Sequence, residues 1–196
     1  MTGFNGTSSV KKRVVHFIVF LLLVGCAGEP TVVTETYPNG QKKEEGGILN
    51  DRREGNWVWW YASGQKRGEA IYNNGKKNGP AAYWFKNGNL DRRGEFRKDR
   101  LHHEWSFWYP SGVKRSFATY LRGKFHGPYG RWYENGQQEM EGHYYRGERT
   151  GDWSWWYELG QLRSRGFYER GERTGKWIFW DTKGKITREM NFNPSD

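Results

Sequence analysis

The chain has 196 residues, of which 18% are aromatic and only 35% are hydrophobic, and it contains 27 Gly and 12 Trp. Disordered proteins are poor in aromatic residues, so this composition excludes a disordered chain, and rings must supply much of the buried apolar area. Gly and aromatic residues disfavour helices, and aromatic residues favour strands. The formal net charge of +10 favours acidic partners.

The first 26 residues differ from the rest of the chain. Lys11, Lys12 and Arg13 form a basic segment, and residues 14–23 form an apolar run. A run of about ten residues is too short for a membrane-spanning helix but is typical of a signal peptide. Residues 23–26, which end in Cys26, resemble the lipobox of bacterial lipoproteins. This resemblance implies cleavage after residue 25 and a lipid anchor on Cys26.

The lipobox leads to an expected domain order and location. We expect a signal peptide over 1–25, a tether over 26–36 and a place in the bacterial cell envelope. Ala27 resembles the residue that sorts lipoproteins to the outer membrane where one exists. Removal of the three basic residues in 1–25 leaves 29 basic and 22 acidic residues, which is a formal net charge of +7. This charge favours anionic lipid headgroups and cell-envelope polymers, and export excludes nucleic acid as a partner.

A 24-residue repeat runs through the rest of the chain without insertion or deletion. Glycines show the period at Gly40, Gly64, Gly88, Gly112, Gly136, Gly160 and Gly184. Rings show it at Tyr72, Phe96, Tyr120, Tyr144, Tyr168 and Phe192. This periodicity predicts a repeat domain over residues 37–192, with about six repeats and a partial first one.

Each unit predicts one β-hairpin. In the fifth copy we expect strands over residues 153–157 and from about 161 to 168. The turn between them has the form Asn-Gly in three copies, Asn39-Gly40, Asn87-Gly88 and Asn135-Gly136. Asn-Gly favours a two-residue type I′ turn. Residues 170–175 then predict a second, longer turn that leads into the next unit.

A two-residue turn would fix the register of the two strands. It places Trp57 opposite Ala70, so one face packs large rings over small residues. The other face is charged except for one Trp per unit, and it pairs Trp60 with Arg67. A one-residue bulge would exchange the two faces. The rings expected in the core are Trp57, Trp105, Trp153 and Trp177.

The unit resembles the bacterial variant of the MORN repeat, which is found in proteins labelled as the YwqK family of antitoxins. The resemblance covers about residues 37–192. In the fifth copy it rests on Trp153, Trp156, Tyr157, Gly160, Gln161, Tyr168, Gly171 and Gly175. It implies an all-β fold in which successive hairpins form one elongated, twisted antiparallel sheet. The antitoxin label implies a protein that neutralises a toxin.

No catalytic constellation stands out in the sequence. His102-His103 interrupts a second glycine series, made of Gly55, Gly79, Gly127, Gly151 and Gly175. Adjacent strand residues point to opposite faces, and no Cys remains to complete a zinc site, so we expect a solvated turn there. The sequence therefore predicts no catalytic residue, no metal ligand and no cofactor, in a protein that is not an enzyme.

One Trp per unit remains on the charged face as a candidate binding surface. The residues are Trp60, Trp84, Trp108, Trp132, Trp156 and Trp180, interleaved with Arg67, Arg115 and Arg163. The rings are either structural, each capped by an arginine or the adjacent hairpin, or a platform for a partner protein or a sugar. We predict a lipid-anchored protein-interaction module or scaffold. The alternatives are a glycan- or peptidoglycan-binding protein and a toxin-neutralising protein.

Overall fold

A computed structural model describes residues 28–193. The predicted signal peptide and Cys26 lie outside the described residues. Within this range no helix is long and apolar enough to cross a membrane. The strands are β1 (Thr31–Thr36), β2 (Lys42–Leu49), β3 (Arg52–Trp60), β4 (Lys66–Asn73), β5 (Lys76–Trp84), β6 (Leu90–Arg97), β7 (Arg100–Trp108), β8 (Lys114–Leu121), β9 (Lys124–Trp132), β10 (Gln138–Tyr145), β11 (Glu148–Trp156), β12 (Leu162–Glu169), β13 (Glu172–Trp180) and β14 (Ile186–Phe192).

The described residues form one open antiparallel sheet of fourteen strands, in chain order from β1 to β14. Each strand pairs with its chain neighbours, because short turns return the chain to the adjacent place in the sheet. The all-β prediction and the elongated sheet of successive hairpins are therefore confirmed. Two faces result. The core face carries Trp57 and its equivalents, and the ladder face carries Trp60 and its equivalents.

The first strand lies in the segment that the sequence assigns to a tether. Residues 31–36 of the predicted 26–36 tether form β1, which pairs with β2 through partners such as Val33 and Gly46. Most of this segment consists of the β-branched residues Thr and Val, which fit a strand well. The sheet therefore begins before residue 37, where the repeat pattern was expected to start.

The loop that contains the Asn-Gly motif is longer than predicted. In the Asn39-Gly40 copy, Gly40 N donates to the Tyr37 carbonyl oxygen at 2.9 Å, and Tyr37 N donates to the Gln41 carbonyl oxygen at 2.8 Å. These bonds close a three-residue loop in which only the glycine has a positive φ, so the predicted type I′ turn is wrong here. The Asn has another role, since Asn39 Nδ2 donates to the Ala62 carbonyl oxygen at 2.8 Å.

The two-residue turns join the units instead. Arg170 and Gly171 have φ values of 50° and 86°, and Lys98 and Asp99 have values of 50° and 63°. Positive φ at both central residues is the mark of a type I′ turn. The predicted long turn over 170–175 is therefore wrong, because β13 already begins at residue 172.

The longer loop changes the register only at the strand end. Trp57 lies opposite Ala70, as predicted. A bulge at Arg67 of β4 then places Lys66, and not Arg67, opposite Trp60. The two faces are not exchanged, because the bulge lies beyond the pairs that build the core.

A second bulge in each unit lets one ring lie flat on the preceding strand. The register of β2 and β3 shifts at Gly46, where the bulged strand contains Gly55 with a φ of +70°. The Trp57 ring covers Gly46 so closely that a Cβ there would lie 2.3 Å from Trp57 Cδ2. Trp57 Nε1 also donates to the Gly47 carbonyl oxygen at 3.0 Å. The same contact recurs for Trp105 on Gly94, Trp153 on Gly142 and Trp177 on Gly166.

The core consists of two ring clusters on the core face. The four predicted core tryptophans are each exposed by 2% or less, which confirms their assignment. Trp57 packs edge-on against Tyr72 with a centroid distance of 6.2 Å. The guanidinium carbon of Arg53 lies 3.8 Å from the Trp57 ring centroid. In a sheet of one layer, such cations and neighbouring rings shield the core from water.

Candidate interaction face

Six half-buried tryptophans follow the ladder face, one per unit, and each is the last residue of its strand. The strand ends there because the next residue opens the three-residue loop. Neighbouring strands lie about 4.8 Å apart, so rings on every second strand are about 10 Å apart. The six rings are Trp60, Trp84, Trp108, Trp132, Trp156 and Trp180.

Cations lie over four of these rings. The pairs and their distances to the ring centroid are Lys42–Trp60 at 5.6 Å, Lys66–Trp84 at 4.8 Å, Arg93–Trp108 at 5.5 Å and Lys114–Trp132 at 5.4 Å. Lys66 Nζ also pairs with Glu69 at 2.5 Å, which holds the ammonium beside the ring. A cation over an exposed ring contributes about 0.5–1 kcal/mol. The chain's own side chains therefore cover much of the ladder.

The arginines predicted to alternate with the rings are not opposite them in the sheet. Because of the strand-end bulge, Lys114 and not Arg115 is opposite Trp108. The Arg115 guanidinium carbon lies 5.8 Å from the ring centroid of Phe107, on the core face. The exposed members of the series are Arg67 and Arg163. The predicted Trp–Arg alternation is wrong, because the bulge moves the opposing position by one residue.

Tyrosine hydroxyls fix the ends of the ladder strands. The Tyr61 hydroxyl donates to the backbone carbonyl oxygen of Trp84 at 2.7 Å. The same bond, at 2.8–2.9 Å, joins Tyr37 to Trp60, Tyr109 to Trp132, Tyr133 to Trp156 and Tyr157 to Trp180. Phe85 occupies this place in one unit and has no hydroxyl to donate. Each loop is thus held against the next one, which keeps the ladder face in a fixed shape.

A cavity of about 500 Å³ opens on the ladder face and extends from β3 to β7. Its floor is formed by small residues such as Ala82 and Ser106, and Ile71 and Pro80 add apolar surface. Its charged lining residues are Glu69, Arg93 and Glu104. The cavity exists because the central residues of β5 and β7 are small where β3 has Val58. It offers a recess that is apolar at its floor and charged at its rim.

A smaller cavity of about 290 Å³ lies at the C-terminal end of the same face. Leu162, Ile178 and Phe167 give it an apolar lining beside Trp180, and Phe167 is 44% exposed. Its charged lining residues are Asp152, Arg165 and Lys176. Here a leucine, and not a lysine, lies next to the ladder ring. The ladder face therefore ends in an apolar recess.

The His102-His103 pair is not the solvated turn that the sequence suggested. His103 takes the place of a bulge glycine with a φ of +56°, and the ring centroids of the two histidines lie 4.1 Å apart. His103 Nδ1 lies 3.0 Å from Glu95 Oε2, whereas His102 is only 7% exposed. Burial, and then the neighbouring His103, lower the pKa of His102. Among residues 28–193 no group of three His, Cys, Asp or Glu side chains could hold a metal ion.

Three hairpins of the sheet match a known repeat. The family profile described as the MORN repeat variant matches residues 53–74, 149–170 and 173–193. These hairpins are similar to MORN repeats. They correspond to β3–β4, β11–β12 and β13–β14, so one MORN-type repeat is one hairpin around a three-residue loop. No curated protein matches the chain. The YwqK label and the lipoprotein signal peptide stay predictions.

Proposed function

We propose that this chain is a lipid-anchored cell-envelope protein whose ladder face docks a protein partner. An open sheet of MORN-type repeats fits a protein-interaction module. The observation that carries the proposal is the cavity of about 500 Å³ on this face. Its apolar floor and charged rim follow the pattern of protein interfaces, which have an apolar centre and a polar border.

The cations over the ladder rings favour a protein partner over a sugar. A sugar stacks on an open ring face, but Lys66 lies over Trp84, and three other rings have a cation in the same way. The accessible apolar surface is instead the small-residue floor around Ala82. A toxin would be one kind of partner for this surface, so the antitoxin alternative needs the same face.

The anchor part of the proposal rests on residues 23–26. Thr31, where the sheet begins, is the fifth residue after Cys26, and this length of chain spans at most about 18 Å. A lipid on Cys26 would therefore hold β1 close to the membrane surface. The partner would then be a protein of the same membrane or of the space next to it.

One substitution tests the docking face directly. We expect Ala82→Arg to fill the cavity floor and to reduce recovery of the partner from cross-linked membranes at least tenfold, without loss of the fold. Ala62→Arg is the matched control, because Ala62 lies in an exposed loop outside the cavity. Equal recovery with the two variants would contradict docking on the ladder face.

A glycan-binding role is supported at two rings only. Among the described residues no cation lies over Trp156 or Trp180, and at the 24-residue spacing Gln138 and Leu162 take the position that Lys66 has for Trp84. A sugar would stack on these two rings without displacing a cation. If glycan binding is the function, Trp156→Ala and Trp180→Ala will abolish co-sedimentation with peptidoglycan while Trp84→Ala does not. Equal sedimentation of all three variants with the unchanged chain would remove this alternative.

A further inference from the structure

Three cavities form a row along the edge of the sheet where the type I′ turns join the units. Their volumes are about 690, 510 and 570 Å³. Lys76 and Lys98 line both the first and the second cavity, and Arg100 and Arg122 line both the second and the third. The row is therefore continuous. Neither Asp nor Glu is among the residues that line it.

The central cavity has the highest concentration of positive charge. Its basic lining residues are Lys76, Arg97, Lys98, Arg100 and Arg122, and all five are exposed. In the described part of the chain, no salt bridge joins any of these five cations to a carboxylate. Asp99 Oδ1 accepts a hydrogen bond from Lys77 N at 2.8 Å, and Glu95 lies against His103. The five cations are therefore available to bind an anion.

A buried histidine completes the wall of this cavity. His102 lines the cavity, is 7% exposed, and has a buried Nδ1 without a hydrogen-bond partner. Buried polar atoms in native proteins are nearly always hydrogen-bonded. A polar ligand in the cavity is a suitable partner for this nitrogen.

The arrangement occurs once in the repeat array. In the last two units Glu148 and Glu172 stand where Lys76 and Arg100 stand in the middle of the sheet. His102 also belongs to the one unit in which a histidine replaces the bulge glycine. The cluster of cations is therefore a local feature and not a consequence of the repeat.

The chemistry of the cluster points to phosphate. Guanidinium groups bind phosphate through two parallel hydrogen bonds, and lysines add point charges. A cavity of about 510 Å³ has room for much more than one phosphate group. We propose that this cavity binds a ligand with at least two phosphate groups, held by Arg97, Arg100 and Arg122 with His102 at its wall. The site lies on the turn edge, so it goes beyond docking on the ladder face.

The pKa of His102 is sensitive to the charges around it. Burial and His103 are the main causes that lower its pKa, and Arg97 and Arg122 add to the effect, while Glu95 acts in the opposite direction. A bound anion stabilises the protonated ring and raises this pKa. The titration of His102, followed by NMR, is therefore a site-specific readout of occupancy.

The test is a titration of the full chain, in neutral detergent, with pyrophosphate. We expect binding that Arg122→Gln weakens about tenfold, which is the loss of one charged hydrogen bond. Arg170→Gln is the matched control. Both arginines are the first residue of a type I′ turn, with φ values of 53° and 50°, but Arg170 lies outside the three cavities. Pyrophosphate should also raise the pKa of His102.

A second arm separates the sources of phosphate. A short-chain prenyl pyrophosphate, which carries the same two phosphate groups on a lipid tail, replaces pyrophosphate in the same titration, with the same two variants. Tighter binding of the lipid, again lost in Arg122→Gln, identifies a lipid headgroup, and tighter binding of pyrophosphate identifies a soluble ligand. The proposal is overturned if neither probe binds. It is also overturned if both variants weaken binding equally, since that result indicates only general attraction to a basic protein.

Discussion

The Trp57 ring lies directly on the backbone of Gly46, on the preceding strand, with no space for a side chain between them. A Cβ at residue 46 would lie 2.3 Å from Trp57 Cδ2. Where the ring is replaced by Ala81, the residue beneath is Ala70. The core of each unit is therefore completed by the unit before it. Contacts of this kind make the stability of a repeat array depend on neighbouring units.

This contact predicts that Gly46→Ala destabilises the sheet. Gly46 does not have a positive φ, so the added methyl group meets the Trp57 ring without strain in the backbone itself. Overpacking of this kind costs about 1–3 kcal/mol. Urea unfolding should show the loss. If Gly46→Ala costs as much when Trp57 is already replaced by Ala, the ring contact is not the cause.

The tyrosine bonds predict a pair of opposite effects. Tyr61→Phe removes the hydrogen bond to the Trp84 carbonyl oxygen and should cost about 0.5–1.5 kcal/mol. Phe85→Tyr should stabilise the sheet by a similar amount, because it adds the hydroxyl that the equivalent units have. Thermal unfolding of both variants checks this. Equal changes in the same direction would contradict the role of the hydroxyl.

Much of the fold follows from the sequence because the repeat has a strict period. Glycines, Trp57 and its equivalents, and the rings of the Tyr72 series determine the hairpins and the core face. The turn types could not be assigned from Asn-Gly alone. In a three-residue loop the glycine supplies the positive φ and the Asn side chain makes hydrogen bonds, as Asn39 does with Ala62.

The candidate site was predicted in part. The Trp60 series was placed on the correct face, but the bulge made Lys66 its neighbour in place of Arg67. The burial of His102 could not be predicted, because it depends on the backbone kink at His103. The amino-acid sequence does contain a signal for the cavity floor. Ala82 and Ser106 are small residues at the 24-residue spacing. They predict a cavity only if it is known which side chains of five neighbouring strands share their face of the sheet.

His103 predicts a stabilising substitution. It holds a φ of +56° at a place where five other units have Gly, and this conformation costs a non-glycine residue about 1–2 kcal/mol. Its ion pair with Glu95 is exposed and adds little. His103→Gly should therefore stabilise the sheet by about 1 kcal/mol in urea unfolding. His103→Ala is the control and should not stabilise it.

The tyrosines in the middle of the core face predict a loss of stability in alkali. Burial raises the pKa of Tyr120 to about 12, and Tyr129 and Tyr144 add to the shift. An unfolded tyrosine titrates near 10, so between pH 10 and 12 only the unfolded state loses this proton. Stability should fall as the pH rises through this window. Tyr120→Phe should make the fall shallower, and an unchanged slope would contradict the assignment.

The lipid anchor predicts a specific loss of labelling. Cys26→Ala should abolish incorporation of a fatty-acid probe, because no other cysteine is present in the chain. Ala27→Ser should leave labelling intact and serves as the control. Labelling that persists in Cys26→Ala would contradict the lipid anchor. The proposed docking on the ladder face does not depend on the anchor and would still be tested separately.

The most direct test of docking on the ladder face is site-specific photo-cross-linking in intact cells. A photoreactive residue at Asn56 borders the cavity of about 500 Å³, and one at Arg92 projects from the opposite side of the same sheet. We expect Asn56 to cross-link to one protein, Arg92 not to do so, and Ala82→Arg to suppress the product. A product of equal yield from Arg92, or one that Ala82→Arg leaves unchanged, would contradict the proposal.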